Sequence, residues 1–142
     1  MGKVQWDDSL AIGVPLIDQQ HKTLVQRLND VSAAVEAGEG EREILMTIAF
    51  LYDYADLHFS VEEKHMAEHG FPGIELQETK HAEFMTAVRN LEQDFKEEGS
   101  THALAEAVNT FLINWLTDHI RGLDHQFAGF LAEKGVVIPE EG

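Results

Sequence analysis

Apolar residues recur every three or four positions along most of the chain, which is the period of an α-helix with one buried face. The pattern starts near Asp18 and first stops at Gly38 and Gly40. It stops again in the turn at 70–73 and at Gly99. Short loops between helices make neighbouring helices antiparallel. The pattern therefore predicts an all-α protein, an antiparallel up-down-up-down four-helix bundle.

The two ends of the chain lack this sustained period. We expect residues 1–17 to form an extended N-terminal arm, and we predict Asp18 as the N-cap of the first helix. Residues 18–134 would form the helical bundle, with a short C-terminal helix at its end, and residues 135–142 a tail. The apolar face of that last helix consists of Phe127, Phe130 and Leu131. At 142 residues the chain fits a single domain with one core.

The core stripe of the second helix turns polar halfway along. Its apolar half runs from Ile44 to Ala55, and the same steps of three and four then reach His58, Glu62, His65 and His69. The remaining stripes carry one imidazole each, at His21, His81 and His119. Antiparallel packing can bring these groups to one level of the bundle.

The fourth helix raises a problem of geometry. Its predicted inner side consists of Leu104, Val108, Phe111, Leu112 and Trp115, and His119 follows by one turn. Asp124 comes five residues after His119, so a regular helix would rotate it about 140° away. Because Gly122 lies between the two, we predict a helix break or a wide turn of the π type that returns Asp124 to the histidines.

The buried polar groups favour a metal centre. Any single buried histidine is more often a hydrogen-bonded core residue. Six buried polar groups without partners would cost roughly 1–3 kcal/mol each, which would cancel the stability of about 5–15 kcal/mol of a small domain. These six are His21, His58, Glu62, His81, His119 and Asp124. No Lys or Arg lies near them on these stripes. Nitrogen and oxygen donors without sulfur favour iron, manganese or zinc. Six ligands fit a pair of metals, with Glu62 and Asp124 as bridges.

Composition and charge narrow the classes of partner. The formal charge of -16 disfavours nucleic acid and anionic membrane surfaces. The absence of cysteine excludes disulfides, thiolate metal sites and cysteine nucleophiles. No apolar run is long enough for a signal peptide or a membrane span. We therefore expect a soluble, cytoplasmic protein and a monomer.

Four segments together resemble the bacterial hemerythrins: WDDSLAIGVPLIDQQHKTL, HFSVEEKHM, HGFPGIELQETKH and NWLTDHIRGLDHQF. The resemblance covers nearly the whole chain. It implies a non-haem di-iron centre, two iron ions with an oxo or hydroxo bridge, that binds dioxygen reversibly for storage, delivery or sensing. It also implies that one iron is held by His21 and His58, the other by His81 and His119, with Glu62 and Asp124 bridging.

This chain departs from the family pattern at two positions. The third helix has Gln77 where the family has the first histidine of His-x-x-x-His, so one imidazole is missing. His65 stands where the family has an apolar residue. One hypothesis is that His65 replaces the missing imidazole. The alternative is that His65 is solvated or pairs locally, while the Gln77 amide ligates weakly or binds a water.

Other residues near these motifs have simpler interpretations. We expect His69, His102 and His125 to lie at helix ends or on the surface. A dry wall of the ligand pocket is predicted from Trp115, Leu116 and Ile120, although core packing alone also explains them.

The function that fits best is reversible dioxygen binding, with an oxygen-using enzyme or a redox partner as the macromolecular partner. A di-iron enzyme acting on peroxide or nitric oxide is the alternative, since losing an imidazole opens the second iron. A ferritin-like protein is disfavoured because that fold needs a lone Glu where this chain has His21 and His119. A scaffold without metal is the remaining alternative, and it would be indifferent to a chelator.

Overall fold

The computed structural model describes residues 6–138. Residues 1–5 of the predicted arm and 139–142 of the predicted tail lie outside the described residues. The first part of the chain forms a short 3-10 helix and then three long helices: Asp8–Leu10, α1 (Pro15–Glu36), α2 (Glu41–Glu68) and α3 (Ile74–Glu98). In the described range all regular structure is helical.

The fourth limb of the bundle is a continuous helical run with two wide turns. It consists of α4 (Thr101–Glu106), a first π segment (Ala107–Leu112), α5 (Ile113–His119), a second π segment (Ile120–Asp124) and α6 (His125–Lys134). Ser100 caps its start by accepting a hydrogen bond from the Ala103 N–H. The predicted all-α bundle with a short C-terminal helix is confirmed.

One continuous apolar cluster fills the bundle. The helix α1 packs along α2, and α2 packs along α3. Fully buried aliphatic residues from α1 and α2 form its centre, among them Ile17, Leu24, Ile48 and Leu51. Among the described residues, no helix is long and apolar enough to cross a bilayer.

The start of α1 differs from the prediction. The helix begins at Pro15 and its N-cap is Val14, so the prediction of Asp18 as N-cap is wrong. Proline suits the first helical position because its φ is already helical and its missing N–H needs no partner there. Asp18 instead accepts hydrogen bonds from the backbone N–H groups of Ile12 at 2.8 Å and Gly13 at 3.1 Å. This carboxylate ties the arm to α1.

The inner side of the fourth limb also differs in one residue. Phe111 was predicted to face the core, but it is 49% exposed. The first π segment spans it, and the wide turn shifts the register so that Leu104, Val108, Leu112 and Leu116, spaced by four, face the core. Ala105 and Ile113 are buried beside them.

Candidate metal centre

Histidine and carboxylate side chains from all four limbs of the bundle meet at one level of the core. They form two sets, and within each set the ligand atoms lie within 4.8 Å of one another. Both sets contain Glu62, which therefore stands between them. The first set is His21, His58 and Glu62, and the second is Glu62, His81, His119 and Asp124.

Glu62 is the centre of this arrangement. Its Oε1 lies 3.3 Å from the Nε2 of His58 and 3.3 Å from the Nε2 of His81. Its Oε2 lies 3.5 Å from the Nε2 of His21. One carboxylate thus contacts imidazoles of three helices, because His58 is one turn earlier on α2 and the other two project from α1 and α3.

Asp124 faces Glu62 across the site. Its Oδ2 lies 3.1 Å from the Nε2 of His21, and its Oδ1 lies 3.4 Å from the Nε2 of His119. The second π segment makes this possible, since its wide turn replaces the regular turn that would have rotated Asp124 away. The predicted π irregularity is confirmed.

Two polar side chains outside the predicted set orient the histidines. The Nδ1 of His58 lies 2.9 Å from the Oε1 of Gln20, and the Nδ1 of His81 lies 2.7 Å from the Oε2 of Glu63. Each oxygen can only accept a hydrogen bond, so each Nδ1 donates one and each Nε2 presents its lone pair to the centre. The only feature of the sequence that could have indicated Gln20 and Glu63 is that each is a polar residue next to a predicted ligand, His21 or Glu62.

Aromatic rings hold two imidazoles in place. Phe59 stacks on the ring of His81 with centroids 4.0 Å apart, and Trp115 stacks on the ring of His119 at 4.7 Å. The indole Nε1 of Trp115 donates to Glu83 at 3.1 Å, which fixes the ring further. These contacts restrict the side-chain rotation that a ligand position must avoid.

The inward-facing atoms lack hydrogen bonds. The short distances between the imidazole nitrogens and carboxylate oxygens do not have hydrogen-bond angles, and the atoms remain buried without partners. They are His21 Nε2, His58 Nε2, Glu62 Oε1 and Oε2, His81 Nε2, His119 Nε2 and Asp124 Oδ2. Native structures rarely leave buried polar atoms unpaired, and a converging set of lone pairs is what a cation requires. The donor set fits metal ions.

Protonation in the absence of metal reflects the same charges. Burial alone would lower the pKa of His21, but Asp124 and Glu62 outweigh burial and raise the pKa to about 9. Burial alone would raise the pKa of Glu62, yet the imidazoles of His58, His21 and His81 hold that pKa well below its ordinary value. A proton on His21 therefore supplies part of the positive charge that these carboxylates demand.

Gln77 lies within the centre. It is fully buried, and its Nε2 donates to the Oδ1 of Asp124 at 3.0 Å. Its amide oxygen is buried without a partner. The side chain at this position thus orients Asp124 and still offers one unpaired oxygen to the site.

His65 lies apart from these two sets. Its ligand atoms group with those of Glu68 and His69 at the end of α2. In the described part of the chain it belongs to no set with Glu62, His81 or Asp124. His65 therefore stands outside both ligand sets, and its substitution for the missing imidazole stays a prediction.

Of the three predicted pocket residues, Trp115 contacts the centre through its stacking on His119. Leu116 and Ile120 are buried, and Trp115 is half-buried. A surface cavity of about 280 Å³ reaches Trp115 and His119. His102 and His125 are exposed, as predicted.

Comparison with known proteins places this arrangement in a family. Residues 12–131 match the family model described as the hemerythrin HHE cation binding domain. A bacteriohemerythrin from Stenotrophomonas maltophilia (strain R551-3) is 30% identical over 128 residues, which are 90% of this chain and 81% of that protein. A bacteriohemerythrin from Pseudomonas aeruginosa (strain LESB58) is 29% identical over 124 residues, 87% of this chain and 78% of its own length.

The similarity extends beyond bacteria. A myohemerythrin from Riftia pachyptila is 26% identical over 126 residues, which are 89% of this chain and 92% of that protein. The resemblance seen in the four sequence segments is thus confirmed, and the range that the family model matches contains every residue of the two ligand sets. The chain belongs to the hemerythrin HHE cation-binding domain family.

Proposed function

We propose that this chain binds dioxygen reversibly at a carboxylate-bridged pair of non-haem iron ions. The observation that carries the proposal is the pair of ligand sets that share Glu62, in which every residue has at least one buried, unpaired ligand atom. His21 and His58 would hold one iron, His81 and His119 the other. Glu62 and Asp124 would bridge them. Two ferrous ions, when bound, would supply the electrons and the coordination positions that dioxygen needs.

Neighbouring residues would orient the ligand side chains before the metals bind. Gln20 and Glu63 keep the Nε2 lone pairs of His58 and His81 aimed inward, so the ligands need little reorganisation. Gln77 fixes one oxygen of Asp124 and can contribute its amide oxygen to the position that lacks a third imidazole. These contacts would retain the metals.

A dry wall would protect the bound gas from protons. Leu116 and Ile120 are buried on the same helical run as His119, and Phe59 stacks on His81. Excluding water disfavours proton delivery, which is the usual route to irreversible oxidation. The cavity at Trp115 and His119, which Lys80, Glu83 and Asp118 also line, would give small molecules a path to the edge of the centre.

The biological role we propose is oxygen storage, delivery or sensing by a monomer. The macromolecule it would serve is an oxygen-using enzyme or a redox partner. The formal charge of -16 disfavours anionic surfaces and polyanions as partners.

The test uses the full chain loaded with iron. Chemical analysis should find two iron ions per chain. After anaerobic reduction, dioxygen should produce a visible absorption spectrum that disappears under vacuum and returns over repeated cycles. A Glu62→Leu variant should lose both the spectrum and the stoichiometry, whereas Glu97→Leu on the exposed end of α3 should keep both. One-way bleaching with consumption of added hydrogen peroxide would contradict oxygen carriage and support a di-iron enzyme.

A further inference from the structure

A second group of potential ligands lies at the C-terminal end of α2. The ligand atoms of His65, Glu68 and His69 lie within 4.8 Å of one another. The spacing explains why, because residues three and four apart lie on one face of a helix. This group shares no residue with the two sets around Glu62.

His65 is the anchor of this group. Its side chain is only 6% exposed, yet both ring nitrogens lack a hydrogen-bond partner. Its Nδ1 lies 3.7 Å from the Oε2 of Glu68, too far for a hydrogen bond. A buried imidazole with unpaired nitrogens is costly unless something binds it. The unpaired Nδ1 faces the carboxylate of Glu68.

The other two residues are accessible to an ion from solvent. The side chain of Glu68 is 51% exposed, and His69 is partly exposed. His69 is the C-cap of α2, and the αL conformation of Gly70, with φ of 67°, ends the helix directly after it. The negative end of the helix dipole favours a cation at this place.

The donor set indicates the class of cation. Two imidazoles and one carboxylate are borderline and hard donors, which suit Zn²⁺ and similar divalent transition metals. Ligand atoms on a tetrahedral zinc lie about 3.3 Å apart, so the 3.7 Å separation between His65 and Glu68 needs only a small rotation. Three protein ligands would leave a fourth position for water.

We propose that His65, Glu68 and His69 form a second metal site, distinct from the centre around Glu62, which binds one divalent transition-metal cation such as Zn²⁺. The cation satisfies the buried imidazole of His65 and cross-links the last turn of α2 to its C-cap residue. His65 lies one turn beyond Glu62 on the same helix, so the ion stiffens the segment that carries the proposed bridge.

The test is a zinc titration of the iron-loaded full chain, followed by calorimetry and metal analysis. One equivalent of Zn²⁺ should bind while both iron ions stay in the protein. The variants Glu68→Gln and His69→Ala should weaken zinc binding by about tenfold or more, because each removes a ligand. Zinc-edge X-ray absorption should show two imidazole ligands in the parent protein and one in His69→Ala.

The control is the matched pair His102 and Glu106, which also lie one turn apart, with 3.5 Å between Nε2 and Oε2, but stay exposed. His102→Ala should bind zinc as the parent does. Zinc that displaces iron, or binding unchanged in both Glu68→Gln and His69→Ala, overturns the proposal. A chain that binds zinc here but fails to bind dioxygen would contradict the proposed function alone, because the two sites share no ligand.

Discussion

The two halves of α2 are equally buried but chemically opposite. In the first half Ile48 and Leu51 fill the apolar core, and each lies fully out of solvent. In the second half His58 and Glu62 are just as deeply buried, yet their inward-facing atoms have no hydrogen-bond partner. Burial stabilises the first half through the hydrophobic effect and destabilises the second unless a cation is present.

Burial alone therefore does not indicate what stabilises a core. The apolar half needs no bound ligand, since its side chains pack against other apolar side chains. The polar half is arranged by the fold but is electrostatically incomplete. The contribution of the polar half to protein stability should therefore depend on metal, on pH and on the identity of each ligand. The contribution of the apolar half should depend on the volume of its side chains.

The largest effect should come from removing iron. Stripping the metal with a chelator should lower the free energy of unfolding by about 5 kcal/mol or more, because several buried polar atoms lose their only partner. Denaturant unfolding of the iron-loaded and iron-free protein measures the difference. Equal stability of the two forms would contradict the metal-centre interpretation.

The apolar half should respond to a cavity. Ile48→Ala should cost about 2–5 kcal/mol, because Ile48 is fully buried in the core cluster. The loss should be the same with and without iron, as the site is not touched. The control Leu57→Ala, on the exposed face of α2, should change stability by less than about 0.5 kcal/mol. A loss of stability in Ile48→Ala that differs between the iron-loaded and iron-free proteins would contradict this distinction between the two halves.

The stability of the iron-free protein should fall as the pH rises. The carboxylates of Asp124 and Glu62 raise the pKa of His21 to about 9 in the folded state, against an ordinary value of 6.5. A raised pKa means that the folded state holds the proton more tightly, so this stabilisation is complete below pH 6.5. It should decline as the pH rises towards about 9.

Denaturant midpoints of the iron-free protein across this pH range measure the decline. His81, whose pKa is also raised because Glu62 outweighs burial, should act in the same direction. Iron loading should abolish the dependence, since a bound metal replaces the proton. A stability of the iron-free protein that increases over this range would contradict the assignment.

The smallest effect should come from restoring the missing imidazole. Gln77→His should slow the loss of iron to a competing chelator by about tenfold, because an imidazole binds iron more strongly than an amide oxygen. Release rates followed by the absorbance of the iron chelate measure the change. Gln93→His, an exposed position on the same helix, should release iron at the parent rate. An unchanged rate in Gln77→His would place this position outside the metal shell.

Much of the candidate site could be predicted from helical periodicity. The steps of three and four that carry Ile44 and Ile48 into the core continue to His58 and Glu62, so their shared face follows from the sequence. Asp124 could be included only by assuming an irregular turn, which the second π segment supplies. Gln20 and Glu63 could not be found, because neither lies on a core stripe and their role depends on which helix packs opposite.

Helical periodicity was enough to predict the helical limbs, most of their buried faces and the chemistry that those faces carry, although the first π segment leaves Phe111 exposed. These follow from local periodicity and from the energetic requirement that buried polar groups find partners. Which ligands meet depends on how the helices pack. Packing makes Glu62 common to both sets and orients His58 and His81 through neighbours on other helices. It also leaves His65, Glu68 and His69 apart from the main centre. Distances between helices depend on packing, which no single helical period contains.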